Sequence, residues 1–117
     1  MSTIEAATFE QRLQQAARFK AKYQNAVPVV IQSDARSSLP KTIHNSLFVV
    51  QKSLSAGELL GLIRKKTSLP KSQAIAMFVG HRIMVTNDIT LCELYERYSN
   101  EDGFLYILCK DEEVYGN

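Results

Sequence analysis

The stretch Asp102-Gly103-Phe104-Leu105-Tyr106-Ile107-Leu108-Cys109 (DGFLYILC) decides how the rest of this chain is read. Asp-Gly is a turn signal, because glycine reaches positive φ without a Cβ clash. Phe104 to Cys109 then offers an apolar run with no alternation. A strand with one solvated face alternates apolar and polar positions, whereas a strand apolar on both faces belongs inside a sheet. The last strand of the chain is therefore expected to be a central one.

The earlier strands are short and rich in β-branched residues. Val27-Pro28-Val29-Val30-Ile31 and Leu47-Phe48-Val49-Val50 read as two successive strands, an antiparallel pair. Pro28 has no amide hydrogen, so it belongs near the start of its strand or on a side without a ladder bond. Ser33 to Asn45 is polar and reads as a loop. Ile75 to Val79 is a third strand, Gly80 opens a turn, and Ile83-Met84-Val85 is a short fourth.

Thr8 with Gln11, Ser55 with Glu58, and Thr90 with Glu93 each place a hydroxyl three residues before Glu or Gln, the pattern of a capping box. The first opens a helix to about Tyr23. Phe9, Leu13, Ala16, Phe19 and Tyr23 form its apolar face, and Arg12, Gln14, Arg18 and Lys22 its polar one. A helical turn over Ile4 to Ala7 is expected before it. The second helix carries Leu59, Leu60, Leu62 and Ile63, which cannot all share one narrow face, so one edge must be partly exposed. It runs out on Arg64-Lys65-Lys66, cations that suit a helix C-terminus, before Pro70 breaks the chain. The third helix ends near Tyr98.

The order is helix, strand, strand, helix, strand, strand, helix, strand. A strand pair, a helix across one face and a late central strand define an α+β fold, a ubiquitin-like β-grasp with an N-terminal helical extension. The expected division is residues 1–24 for the extension, 25–110 for the β-grasp core and 111–117 for the tail.

The chain's 117 residues, 45% hydrophobic and 22% charged, are enough to bury one core without disulfides or metal. A net charge of +2 is too small to argue for nucleic acid. Arg64-Lys65-Lys66 is a single short cluster without interleaved aromatics, and no nucleic-acid partner is expected. Cys92 and Cys109 lack paired zinc or redox spacing and lie among apolar residues, so both are expected in the core, with no metal or cofactor. A cysteine hydrolase would need Cys92 with His44 or His81 and Asp88, but nothing in the sequence brings a histidine to the thiol. The chain shows neither a signal-peptide run nor a membrane-length apolar stretch, and a cytoplasmic protein is expected.

Several stretches, taken together, resemble the autophagy ubiquitin-like modifiers of the GABARAP type. Phe9-Glu10-Gln11-Arg12 is similar to the family's Phe-Glu-x-Arg, and Lys22-Tyr23 with Val27 to Ile31 to its Lys-Tyr and Val-Pro-Val strand. Leu62-Ile63-Arg64-Lys65-Lys66 is similar to its Leu-Ile-Arg-Lys-Arg. Asp102 to Ile107 is similar to its Asp-Gly-Phe-Leu-Tyr-Ile, and Val114-Tyr115-Gly116 to its aromatic-Gly ending.

The resemblance implies cleavage between Gly116 and Asn117 by a processing cysteine protease. It implies passage of Gly116 through activating and conjugating enzymes to phosphatidylethanolamine, the only lipid or cofactor-like group expected. Glycine suits that chemistry, since an acyl carbon without a neighbouring Cβ is open to attack and fits narrow clefts. The chain would then be a substrate of enzymes and not itself an enzyme, cytoplasmic when soluble and on autophagosomal membranes when lipidated.

The resemblance also implies that the edge of the second strand, Leu47 to Val50, accepts receptor peptides bearing an aromatic-x-x-aliphatic motif. An aromatic pocket would use Gln15, Phe19, Pro28, Leu47, Val49 and Phe104. An aliphatic pocket would use Phe48, Val50, Leu54, Leu59, Leu62 and Arg64. Two departures stand out: His44-Asn45-Ser46-Leu47 replaces the family's lysine run, and Ala26 replaces a basic residue. Weaker dependence on acidic residues flanking the motif is expected. The alternative reading is an unconjugated peptide-binding adaptor of the same fold.

Overall fold

The computed structural model describes residues 7–34, 39–40, 43–69, 72–80 and 82–111, and the backbone of 2–3. Gly116 and Asn117, His81, and Ile4 to Ala6 of the expected helical turn lie outside them. The elements are β1 (Ser2–Thr3), α1 (Phe9–Lys22), β2 (Ala26–Ser33), β3 (Ser46–Gln51), α2 (Ala56–Thr67), β4 (Ile75–Val79), β5 (Ile83–Met84), α3 (Leu91–Tyr98) and β6 (Leu105–Asp111). They form one mixed sheet in the order β1-β3-β2-β6-β4-β5.

β6 lies between β2, to which it is parallel, and β4, to which it is antiparallel. The unalternated apolar run had placed it there. β2 and β3 form the expected antiparallel pair, from Ala26↔Gln51 to Ile31↔Ser46. Just beyond, the Lys52 N–H donates to the Asn25 carbonyl at 2.8 Å. Bonded and non-bonded pairs alternate in such a ladder, so Pro28 opposite Val49 falls in a non-bonded pair. The β6 ladder begins only at Val29, which leaves Pro28 no donor duty on that side either. Asn45 enters β3 at φ 60°, a left-handed turn that asparagine tolerates.

The two full capping boxes form at Thr8 and Ser55, with each cap hydroxyl accepting the N3 amide and the N3 side chain returning to the cap amide. At Thr90 the hydroxyl accepts the Glu93 amide, but the Glu93 carboxylate faces that hydroxyl at 3.4 Å. There Thr90 is bridged to Ser55. The first amides of α2 donate to the Asn87 and Ile89 carbonyls, and those of α3 to Leu54 and Lys52. Each helix start therefore satisfies amides that its own turn cannot.

α2 and α3 cover one face of the sheet. Leu59, Ile63 and Leu91 are wholly buried there, and Leu94 nearly so, against Val29, Ile31, Leu105, Ile107 and Cys109. α1 covers the other face, where Ala16, Val30 and Phe104 form a small buried cluster, with Phe19, Leu47 and Tyr106 packed around them. This corrects the expected apolar face of α1. Phe9, Leu13 and Tyr23 are about 40% exposed, while Arg12, read as polar surface, turns inward. At the N-terminus, Ser2–Thr3 is a strand on the sheet edge, and Ala7, the one described residue of the expected helical turn, is not helical.

Candidate functional site

The candidate site is the β3 edge and the two faces beside it. Since Ser46, Phe48 and Val50 exchange bonds with β2, alternation directs the backbone groups of Leu47, Val49 and Gln51 outward. The Gln51 carbonyl accepts the Leu54 N–H at 3.1 Å. Leu47 and Val49 are thus the edge residues whose N–H and C=O both face outward without that local turn bond.

Side chains alternate across the sheet. Leu47 and Val49 are half-buried on the α1 side, while Ser46, Phe48 and Val50 are buried on the α2 side. The six residues of the expected aromatic pocket fall on one side. Phe19 and Leu47 pack on Phe104, Pro28 is paired with Val49 across the ladder, and half-buried Gln15 precedes Ala16 on α1.

The expected aliphatic pocket divides into a floor and a surface. Phe48, Val50 and Leu59 are buried in the main core, with Leu54 packed against them. Leu62 is 40% exposed on α2, which makes it the exposed edge expected of this helix, and Arg64 is half-buried one turn from its end. The segment leading into β3 carries no lysine or arginine among its described residues. The His44 Nδ1 accepts the Ser33 N–H at 3.1 Å, and Ser46 is fully buried.

A polar latch that sequence reading missed holds α1 over this face. Asp102 is buried and its Oδ2 accepts from Arg12 Nε at 3.0 Å and from the Tyr106 hydroxyl at 2.5 Å. Its Oδ1 accepts the Phe104 N–H at 3.0 Å. Arg12 also donates to the Ala7 carbonyl at 2.7 Å. Burial, the hydrogen bond to Asp102 and that group's negative charge push the Tyr106 phenol pKa well upward.

Gly103 sits at φ +90°, and a Cβ there would lie 2.9 Å from the Ala16 Cβ. The missing side chain is what lets α1 approach. The Asx contact of Asp102 with Phe104 was open to inference from Asp-Gly-Phe. The partnership with Arg12, ninety residues away, left no local signal.

The cysteines part ways. Cys109 is fully buried in the main core, and burial pushes its thiol pKa up to about 12. Cys92 is half-buried, not in the core as expected, and lines a cavity of about 330 Å³ with Lys20, Lys52 and Tyr95. It lies at an amphipathic helix start, and its Sγ faces Glu96 Oε1 at 3.6 Å. Partial burial and Glu96 raise its pKa, the reverse of what a nucleophile requires. No helix among the described residues is long and apolar enough to cross a membrane.

Comparison with known proteins gives a consistent result. A family model described as autophagy protein Atg8, ubiquitin-like, matches residues 11–116. Autophagy-related protein 8 of Pichia angusta is 34% identical over 108 residues, 92% of this chain and 85% of that protein. Autophagy-related protein 8e of Arabidopsis thaliana is 32% identical, over 92% and 87%. Human microtubule-associated protein 1 light chain 3 gamma is 29% identical, over 90% and 71%. In fold, the crystal structure of Trypanosoma brucei ATG8 superposes with a TM-score of 0.85 at 23% identity, covering 92% of this chain and 91% of that one.

Proposed function

Because the chain belongs to the Atg8 ubiquitin-like family, we propose that it acts through two surfaces: a conjugated C-terminal glycine and a peptide-accepting sheet edge. It is an autophagy ubiquitin-like modifier and not an enzyme. Within that role, the protease that would cut after Gly116, the enzymes that would carry it and phosphatidylethanolamine as acceptor are our reading. So are assignment to the GABARAP-type branch, receptors bearing aromatic-x-x-aliphatic motifs, and movement from cytoplasm to autophagosomal membrane. The family match runs to residue 116 and stops one short of Asn117, which supports Gly116 as the reacting end.

The observation that carries the peptide reading is the β3 edge. Its outward backbone at Leu47 and Val49 can extend the sheet by one strand. Half-buried Phe19 and Leu47 lie on one side of it, and the Phe48, Val50 and Leu59 floor with exposed Leu62 on the other. Side chains of a bound strand alternate between those sides. The absence of lysine and arginine at His44 to Leu47 supports weak dependence on acidic flanks. Titrating paired peptides with and without them checks this, and a large loss on their removal would refute it.

Intact mass of protein from its own cells tests the tail. A soluble form lacking Asn117 and a membrane form heavier by one phosphatidylethanolamine are expected, and Gly116→Ala should abolish the second. Full-length mass in both fractions would leave the unconjugated adaptor as the better reading.

A further inference from the structure

The chain already places a strand on the edge it would offer to peptides. β1 pairs antiparallel with β3 through Ser2↔Leu47 and Thr3↔Ser46. Ladder alternation assigns Ser2↔Leu47 as the bonded pair, because Leu47 directs its backbone away from β2. The register also aims the N-terminal end of β1 along the edge towards Val49.

A peptide strand of four residues spans about two outward-facing positions, since those recur at every second residue. Leu47 and Val49 are the two adjacent positions with both groups turned outward and no local turn bond, and Ser2 holds the first. Leu47 also contributes its side chain to the aromatic side of the site. A peptide seated between both pockets and β1 therefore require the same backbone.

We propose that the N-terminal strand is an internal competitor for the peptide edge, so that binding an aromatic-x-x-aliphatic peptide displaces Ser2–Thr3 from Leu47. The inference rests on the peptide-binding reading above. Two residues make a weak strand, so β1 is held loosely enough to be exchanged. Occupancy by β1 lowers apparent affinity by the fraction of molecules whose edge is open. The family's peptide partners would then be selected partly by their ability to outbid, in backbone bonds, a strand that is always present.

The test compares three forms of the chain: the full sequence, one beginning at Ala7, and the full-length Ser2→Pro variant. The proline removes the N–H facing the Leu47 carbonyl while keeping the length. A synthetic peptide with one aromatic-x-x-aliphatic motif is titrated into each, and exchange of the Ser2 amide is followed in the full chain. Both altered forms should bind about tenfold more tightly, a displacement equivalent to one or two hydrogen bonds. The Ser2 amide should lose protection as peptide saturates. Equal or weaker binding by the altered forms, or a Ser2 amide still protected at saturation, would overturn the competition and leave the peptide reading intact. Absence of binding by all three would overturn both.

Discussion

On one face of the sheet, α2 and α3 bury Leu59, Ile63, Leu91 and Leu94 against a continuous apolar floor. On the other, α1 buries Ala16 alone, although it is the longest helix at 14 residues. The first face is held by area removed from water, which is non-directional and shared by many residues. The second is held by a few directed contacts: the Arg12–Asp102 pair, the Tyr106 hydroxyl on the same carboxylate, and the close approach at Gly103. Losing one of many apolar contacts weakens the whole chain. Losing one of a few directed contacts should release α1 and the aromatic side of the site before the fold is lost.

The contrast can be broken by substitutions on each face. Leu59→Ala should cost about 2–5 kcal/mol in urea unfolding, as complete burial leaves a cavity behind. Gly103→Ala should cost about 1–3 kcal/mol from left-handed strain and the clash with Ala16. Its effect on peptide affinity should be the larger one, more than tenfold. If it unfolds the chain as fully as Leu59→Ala does, the two faces are one cooperative unit and the comparison fails.

Asp102→Asn sharpens the same point. Asparagine is nearly isosteric but removes the charge that Arg12 and Tyr106 address. A loss of about 1–2 kcal/mol is expected, discounted because the Arg12 side chain is 28% exposed. Helix α1 should show faster amide exchange, while α2 and α3 are unchanged.

Alkaline titration then separates the faces by pH. The Cys109 thiol rises from an ordinary 9 to about 12 through burial, and the Tyr106 phenol also rises above its ordinary value near 10. A raised folded pKa means that the native state holds the proton more tightly. The stabilisation is complete below the unfolded pKa and is lost as pH rises through the folded one. Stability should therefore fall from about pH 9 for the main face, and from about pH 10 for the α1 face. Tyr106→Phe should flatten only the later part. An unfolding free energy independent of pH between 9 and 11 would contradict both assignments.

The two faces were also unequally legible in the sequence. Periodicity and capping announce elements that bury area, and Phe104 to Cys109 was placed in mid-sheet from its lack of alternation alone. The α1 face depends on Arg12 meeting Asp102, and on a glycine meeting an alanine across 87 positions, which no local pattern encodes. The apolar residues of α1 misled for a related reason. Phe9, Leu13 and Tyr23 have helical spacing but line a side that no layer of described residues covers. β1 was missed because two residues carry no period at all. The candidate site came from a resemblance alone, and the structure adds which of its residues lie in the floor and which at the surface.

That distinction decides how the aliphatic side can be probed. Leu59 cannot report on peptide binding, because removing it damages the main face first. Leu62 lies three residues on, 40% exposed, and carries little of the core. Leu62→Ala should change unfolding free energy by less than about 0.5 kcal/mol. If Leu62 contacts the aliphatic residue of a bound peptide, affinity should still fall several-fold, about 1 kcal/mol for lost apolar contact. The two measurements belong together on one preparation. A fall in affinity at constant stability would mark α2 as the outer wall of the site. Unchanged affinity would confine recognition to the aromatic side and the β3 backbone, and would make peptide capture depend on the face that is held by the fewest contacts.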